Sequence, residues 1–108
     1  WHMTRLTWLA LSFMVAAPLA ASDQLSGDRQ RELRNVLIQD CGSCHGLTMH
    51  GGLGPALVPD RLAGKSIEYL SSVILNGRPG TAMPAWRSLL SPAEARWMAN
   101  QLLQGEVQ

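Results

Sequence analysis

Apolar positions along the chain fall into two regimes that meet near residue 22. Upstream, Leu6 to Ala17 is a nearly unbroken apolar run, preceded by Arg5 and followed by Pro18-Leu19-Ala20-Ala21-Ser22. Downstream, apolar residues recur at helical spacing. Leu33, Val36, Leu37 and Cys41 return every three or four positions and predict a helix from Asp28 to about Asp40. From Gly42 to Gly54 the pattern stops, and five of those thirteen residues are Gly. A Pro-containing connection, Pro55 to Gly64, follows. Ser66 is placed to cap a second helix bearing Ile67, Leu70, Val73 and Ile74, and Asn76-Gly77 ends it. Residues 77–86 form another Gly/Pro-rich loop. The last helix has the clearest start, because Ser91-Pro92-Ala93-Glu94 joins a capping box to a Pro at the first helical position. Ala95, Met98 and Leu102 make its stripe, Trp97 and Leu103 widen it, and Gly105 stops it. No alternation of strand length occurs, so the expected class is all-α. Three short helices are marginal alone in water, and something central has to organise them.

The upstream run reads differently. One positive charge, about a dozen apolar residues and small residues at the exit make a secretory signal peptide over residues 1–22, with cleavage after Ser22 or Ala21. The run is shorter than the roughly 20 apolar residues that span a bilayer, which disfavours an uncleaved anchor. Trp1-His2, ahead of Met3, read as an appended remnant. The expected mature domain is 23–108, exported to the periplasm, with no stable membrane insertion after cleavage.

Composition then changes meaning. The chain is 46% hydrophobic, but residues 1–22 hold 15 of those residues. The remainder keeps only Tyr69, Trp86 and Trp97 as aromatics, a thin supply for a core. At 108 residues there is room for one domain and no multi-domain enzyme. Nine basic and eight acidic side chains, with a single Lys and no basic cluster, leave no electrostatic footprint for nucleic acid. Two cysteines are too few for a disulfide framework.

Those two cysteines stand in Cys41-Gly42-Ser43-Cys44-His45, the attachment motif of c-type haem. Thiols at i and i+3 on one helical turn reach the two vinyl groups of a porphyrin edge, and the adjacent His offers an imidazole nitrogen to the iron. A zinc site would need further ligands, and His50 alone would crowd four of them into ten residues. A thioredoxin-like dithiol needs a βαβ context that the pattern lacks. The expected cofactor is one covalent haem c, and its bulk supplies the missing core.

A sixth iron ligand has three methionine candidates. Met49 is four residues past His45, too short a tether to reach the opposite face. Met98 sits on the stripe of the last helix, where Met is usually core filling. Met83 lies in the loop 38 residues beyond His45, followed by Pro84, which restricts the backbone there, and is the expected ligand with His45. His50 meets the tether objection and reads as a solvated loop residue. In Gly51-Gly52-Leu53-Gly54-Pro55 the glycines let backbone pass close to the ring, and the Pro55 carbonyl is the expected partner of the second His45 nitrogen. Arg61, Arg78 and Trp86 are candidate haem-propionate partners, each equally readable as surface or packing.

On these pieces, with Gly52-Leu53-Gly54-Pro55-Ala56-Leu57, Gly80-Thr81-Ala82-Met83-Pro84-Ala85-Trp86, Leu90-Ser91-Pro92-Ala93-Glu94 and Trp97, the chain resembles class I c-type cytochromes of the small bacterial monohaem type. The likeness covers nearly all of residues 28–104; a Trp at 97, where the family often has Tyr, is one departure. It implies a cytochrome c-like fold of three main helices around one haem, with first and last helices crossing near Trp97 and Met83 on the iron. In finer detail it resembles the small cytochromes of denitrification gene clusters. That implies redox protein partners, cytochrome cd1 nitrite reductase among them, served by electron donation or by a part in supplying haem d1. The expected role is a one-electron carrier, not an enzyme. It would dock through an apolar rim (Leu47, Leu53, Ala85), as a monomer whose long Met83 loop leaves exchange of the last helix between two chains open.

Overall fold

The computed structural model describes residues 12–14 and 25–107; apart from residues 12–14, the expected export signal lies outside the described residues. No helix among the described residues is long and apolar enough to cross a membrane. They are helical, without strands: α1 (Gly27–Val36), a π turn (Leu37–Cys41), α2 (Gly42–His45), α3 (Pro59–Leu62), α4 (Ile67–Asn76) and α5 (Pro92–Gln104).

The first helix departs from its expected extent. Ser26 caps its start by accepting from Arg29 N. It does not end near Asp40. The ladder widens by one residue over Leu37–Cys41, where Gly42 N–H reaches the Leu37 carbonyl, and then resumes through His45. Gly46, at φ +90°, stops it, and a Cβ there would lie 2.7 Å from the Gly51 carbonyl oxygen. The haem motif therefore sits on a helical turn that continues the first helix. The segment read as an irregular connection contains the single turn α3, opened by Pro59 at its first position.

The caps expected for α4 and α5 are present. Ser66 accepts from Tyr69 N, and Ser91 and Glu94 close a reciprocal capping box. Gly105, in the left-handed region at φ +72°, ends α5. Helix α5 packs most extensively on α4 and also meets α3 and α1. Leu33 and Leu37 from the first helix, Leu70, Ile74 and Leu75 from α4, and Ala95, Met98, Ala99 and Leu102 from α5 form the core, with Met49, Leu62, Leu90 and Val107. Met98 is fully buried there, as core filling.

Helices α1 and α5 meet beside Trp97, as the family likeness implies. The Arg34 guanidinium lies 5.6 Å from the Trp97 ring centroid and donates to Gln101 Oε1 at 3.2 Å. One turn earlier Arg29 pairs with Glu94, so the residue that caps α5 also bridges to α1.

Candidate functional site

Cys41 is the last residue of the π turn, and Cys44 and His45 close α2. Cys44 is exposed and Cys41 half-buried. Burial foremost, then the neighbouring Asp40 carboxylate, pushes the free Cys41 thiol up to about 11.

His45 is buried, and its Nδ1 lies 2.7 Å from the Pro55 carbonyl oxygen. A carbonyl only accepts, so Nδ1 donates in this contact, which leaves Nε2 as the ring nitrogen that can face a metal. The loop that carries Pro55 is folded back onto the motif by backbone bonds from Gly51 N to His45 O (2.8 Å) and from Gly54 N to Cys44 O (2.7 Å). Gly54 is required there. A Cβ on it would stand 2.9 Å from His45 Cε1 and 3.0 Å from Nδ1. His50, by contrast, is exposed and donates from Nδ1 to the Thr48 carbonyl at 2.8 Å.

Met83 is half-buried in the loop after α4. The Met83 carbonyl accepts from Arg78 N at 3.3 Å, and Trp86 N and Arg87 N donate to the Ile74 and Leu75 carbonyls, both at 3.1 Å. Gly77, at φ +68°, is crossed so closely by the returning strap that a Cβ would lie 2.7 Å from both Met83 O and Pro84 C. Met49 is buried in the core at φ +62°. Leu47 and Leu53 are 63% and 94% exposed, and Ala85 is exposed, so the apolar rim read from the sequence stands at the surface. Arg61 and Arg78 are exposed, while Trp86 packs partly against the core.

Sequence reasoning took the glycines of 51–54 as letting backbone pass close to the ring without singling out Gly54 against the imidazole, and it did not find the π turn or the buried place of Met49. A positive φ at a Met has no sequence signal, and the Gly54 contact shows only as one glycine among five.

The donor set fits a covalently bound haem. Two thiols stand one turn apart, and the adjacent imidazole has one nitrogen occupied by a carbonyl and the other free. Fold and donors together define a small c-type cytochrome domain. Residues 28–100 match the family described as cytochrome c oxidase, cbb3-type, subunit III. The chain is 50% identical over 102 residues to cytochrome c55X of Pseudomonas aeruginosa, covering 93% of this chain and 86% of that one. It is 51% identical over 100 residues to cytochrome c55X of Paracoccus denitrificans, covering 93% and 97%. A solved structure of the c-type cytochrome NirC superposes with a TM-score of 0.75 at 52% identity, over 77% of this chain and 98% of that one. A fourth likeness, 34% identity over 100 residues, is to the dihydro-heme d1 dehydrogenase of P. aeruginosa; it covers 93% of this chain but 19% of that protein. The chain belongs to the c-type cytochromes, in the cytochrome c55X family. Membership implies covalently bound haem c, with Cys41 and Cys44 as the candidate attachment residues.

Proposed function

We propose that this chain is a periplasmic one-electron carrier of the nitrite reductase system in denitrification, with haem c attached through Cys41 and Cys44 and ligated by His45 and Met83. The observation that carries the reading is the 2.7 Å contact between His45 Nδ1 and the Pro55 carbonyl. It fixes the tautomer that presents Nε2 to a metal, orients the ring and makes the imidazole a stronger donor. When bound, haem c supplies a ferric/ferrous couple.

The remaining work belongs to the chain. Met83 would offer the haem a neutral thioether, which would favour the reduced state and, together with His45, leave no coordination position for a substrate. With both ligands supplied by the protein, the residues would need to shift little between oxidation states, which suits a carrier rather than an enzyme or gas sensor. Leu47, Leu53 and Ala85 give a partner protein a small apolar area for brief contact. Export rests on the signal pattern of residues 1–22, with the cytochrome domain over 23–108. The nitrite reductase assignment is supported by half-identity to the c55X cytochromes.

The test of ligation is Met83→Ala in the haem-loaded protein. Wild-type ferric protein is expected to show the far-red methionine-to-iron charge-transfer band and no binding of CO in the ferrous form at neutral pH. The variant loses the band and gains CO. An unchanged spectrum in the variant removes Met83 as ligand.

The likeness to dihydro-heme d1 dehydrogenase favours a second reading, an accessory role in making or delivering haem d1 for cytochrome cd1 nitrite reductase. A deletion strain separates the two. Loss of haem d1 from nitrite reductase selects the maturation role, whereas intact haem d1 with slow nitrite turnover selects electron donation.

A further inference from the structure

The Met83 loop hangs from the C-terminal end of α4. Its entry is tied by Gly77 N to the Val73 carbonyl at 2.8 Å, and its exit by the Trp86 and Arg87 amides to Ile74 and Leu75. Between these anchors, residues 78–83 have no helix or strand to hold them. One hydroxyl joins two backbone bonds in closing the loop on itself. Thr81 Oγ1 donates to the Arg78 carbonyl at 2.7 Å and accepts from Met83 N at 3.3 Å. Thr81 N adds a bond to the same carbonyl at 3.0 Å, and Arg78 N reaches the Met83 carbonyl at 3.3 Å. The backbone amide and carbonyl of Met83 are thus both engaged, one by Thr81 and one by Arg78.

This chain of bonds has a direction that a bare turn lacks. The Thr81 hydroxyl is used twice, as donor toward the start of the loop and as acceptor from Met83, so it couples the position of the methionine backbone to Arg78. Gly77 completes the clamp from beneath, because the strap passes at a distance no side chain would allow. A thioether is a weak ligand for ferric iron, and its hold depends on how little the loop must be ordered when the bond forms.

We propose that Thr81 is a positioning residue for the sixth iron ligand: its hydroxyl pre-sets the Met83 backbone and so governs how readily Met83 leaves the iron. The proposal rests on the assignment of Met83 as ligand. Thr81 itself touches no metal, and its effect is exerted through the two bonds of one oxygen. The shape of the side chain is secondary, so Val, which keeps the shape and lacks the oxygen, is the informative replacement. Ser keeps the oxygen and loses only the methyl.

The experiment uses haem-loaded full-chain protein, with Thr81→Val and Thr81→Ser compared to wild type. Ferric protein is mixed with imidazole, and displacement of Met83 is followed by loss of the far-red charge-transfer band. Thr81→Val is expected to bind imidazole with an affinity and exchange rate raised by roughly three- to tenfold, the range that one or two lost hydrogen bonds support. Thr81→Ser is expected to stay within about twofold of wild type on the same basis. Far-ultraviolet circular dichroism unchanged in both variants removes general unfolding as the cause. Imidazole binding by Thr81→Val equal to wild type, or Thr81→Ser behaving like Thr81→Val, overturns the proposal while leaving Met83 on the iron. A wild-type ferric protein without the far-red band overturns the ligand assignment, and this proposal with it.

Discussion

Around His45 one residue orients the ring and one gives it clearance. Pro55 supplies a carbonyl at 2.7 Å from Nδ1, and Gly54 stays clear of the ring only because it has no side chain. An added methyl would meet Cε1 at 2.9 Å and Nδ1 at 3.0 Å, against a ring that cannot retreat without breaking its bond to Pro55. Gly54→Ala is therefore expected to destabilise the haem-loaded protein by about 1–3 kcal/mol, seen as a lowered thermal midpoint in the visible spectrum. Gly27→Ala is the control: nothing lies within 4 Å of a Cβ there, and the change should stay within about 0.5 kcal/mol. A Gly54→Ala protein as stable as wild type would show that the ring has room to tilt. Met49 illustrates the opposite trade. Its φ of +62° costs roughly 1–2 kcal/mol for a side-chain-bearing residue. Burial of the side chain in the core returns about 1.5–3 kcal/mol, enough to hold the turn that brings Leu57 N onto the Met49 carbonyl.

At the scale of elements, the joint between α1 and α5 rests on a carboxylate with two tasks. Glu94 accepts from the Ser91 amide to complete the capping box and pairs with Arg29 across the helix contact. The Arg29 guanidinium, more than any other neighbour, holds the Glu94 carboxyl below the usual carboxylate range. A group with a lowered folded-state pKa contributes stability that is complete above its unfolded value and is lost as pH falls through the folded one. Denaturant midpoints of wild type and Glu94→Gln should thus differ by a constant amount from pH 7 to about pH 5 and converge below about pH 4. A difference that persists undiminished in acid would remove the charged pair as its source. Among the elements, those with local signals were legible in the sequence. Ser66, Ser91-Pro92 and Gly105 marked α4 and α5, and the five-residue motif marked the cofactor. The continuation of the first helix to His45 was not, because the apolar spacing runs out after Cys41 and the residues that follow are rich in Gly. Helix α3 is a single turn, too short to carry a stripe. The Arg29–Glu94 pair joins positions 65 residues apart, and nothing local to either announces it. At the candidate site the residue types were readable, whereas the Gly54–imidazole contact and the Thr81 clamp depend on how loops fold back.

Over the whole molecule, a balanced charge count conceals an uneven distribution. Net formal charge is +1 for the full sequence, and steering by that total would be weak. Yet residues 41–58 carry no Asp, Glu, Lys or Arg, and residues 69–93 carry only Arg78 and Arg87. Of the other six described cations, three are paired with carboxylates: Arg29 with Glu32 and Glu94, Arg31 with Asp28, Arg96 with Glu68. Arg87 donates to Asn76 Oδ1 from two nitrogens, at 2.8 and 3.2 Å, and neither it nor Arg78 has a carboxylate partner among the described residues. The loop bearing Met83 is therefore flanked by two uncompensated positive charges. At low ionic strength, electron transfer from the reduced protein to anionic hexacyanoferrate(III) should fall by on the order of tenfold in the double variant Arg78→Glu, Arg87→Glu. Transfer to cationic tris(phenanthroline)cobalt(III) should rise in the same variant, and both effects should fade near 1 M salt, where screening acts within about 3 Å. Arg31→Glu, on the far-sequence helix α1, changes net charge without touching this loop and should alter both rates much less. Arg31→Glu changes net charge by half as much as the double variant, so a shift in log rate half as large would mean that the oxidants sense only total charge and not the charges beside the Met83 loop.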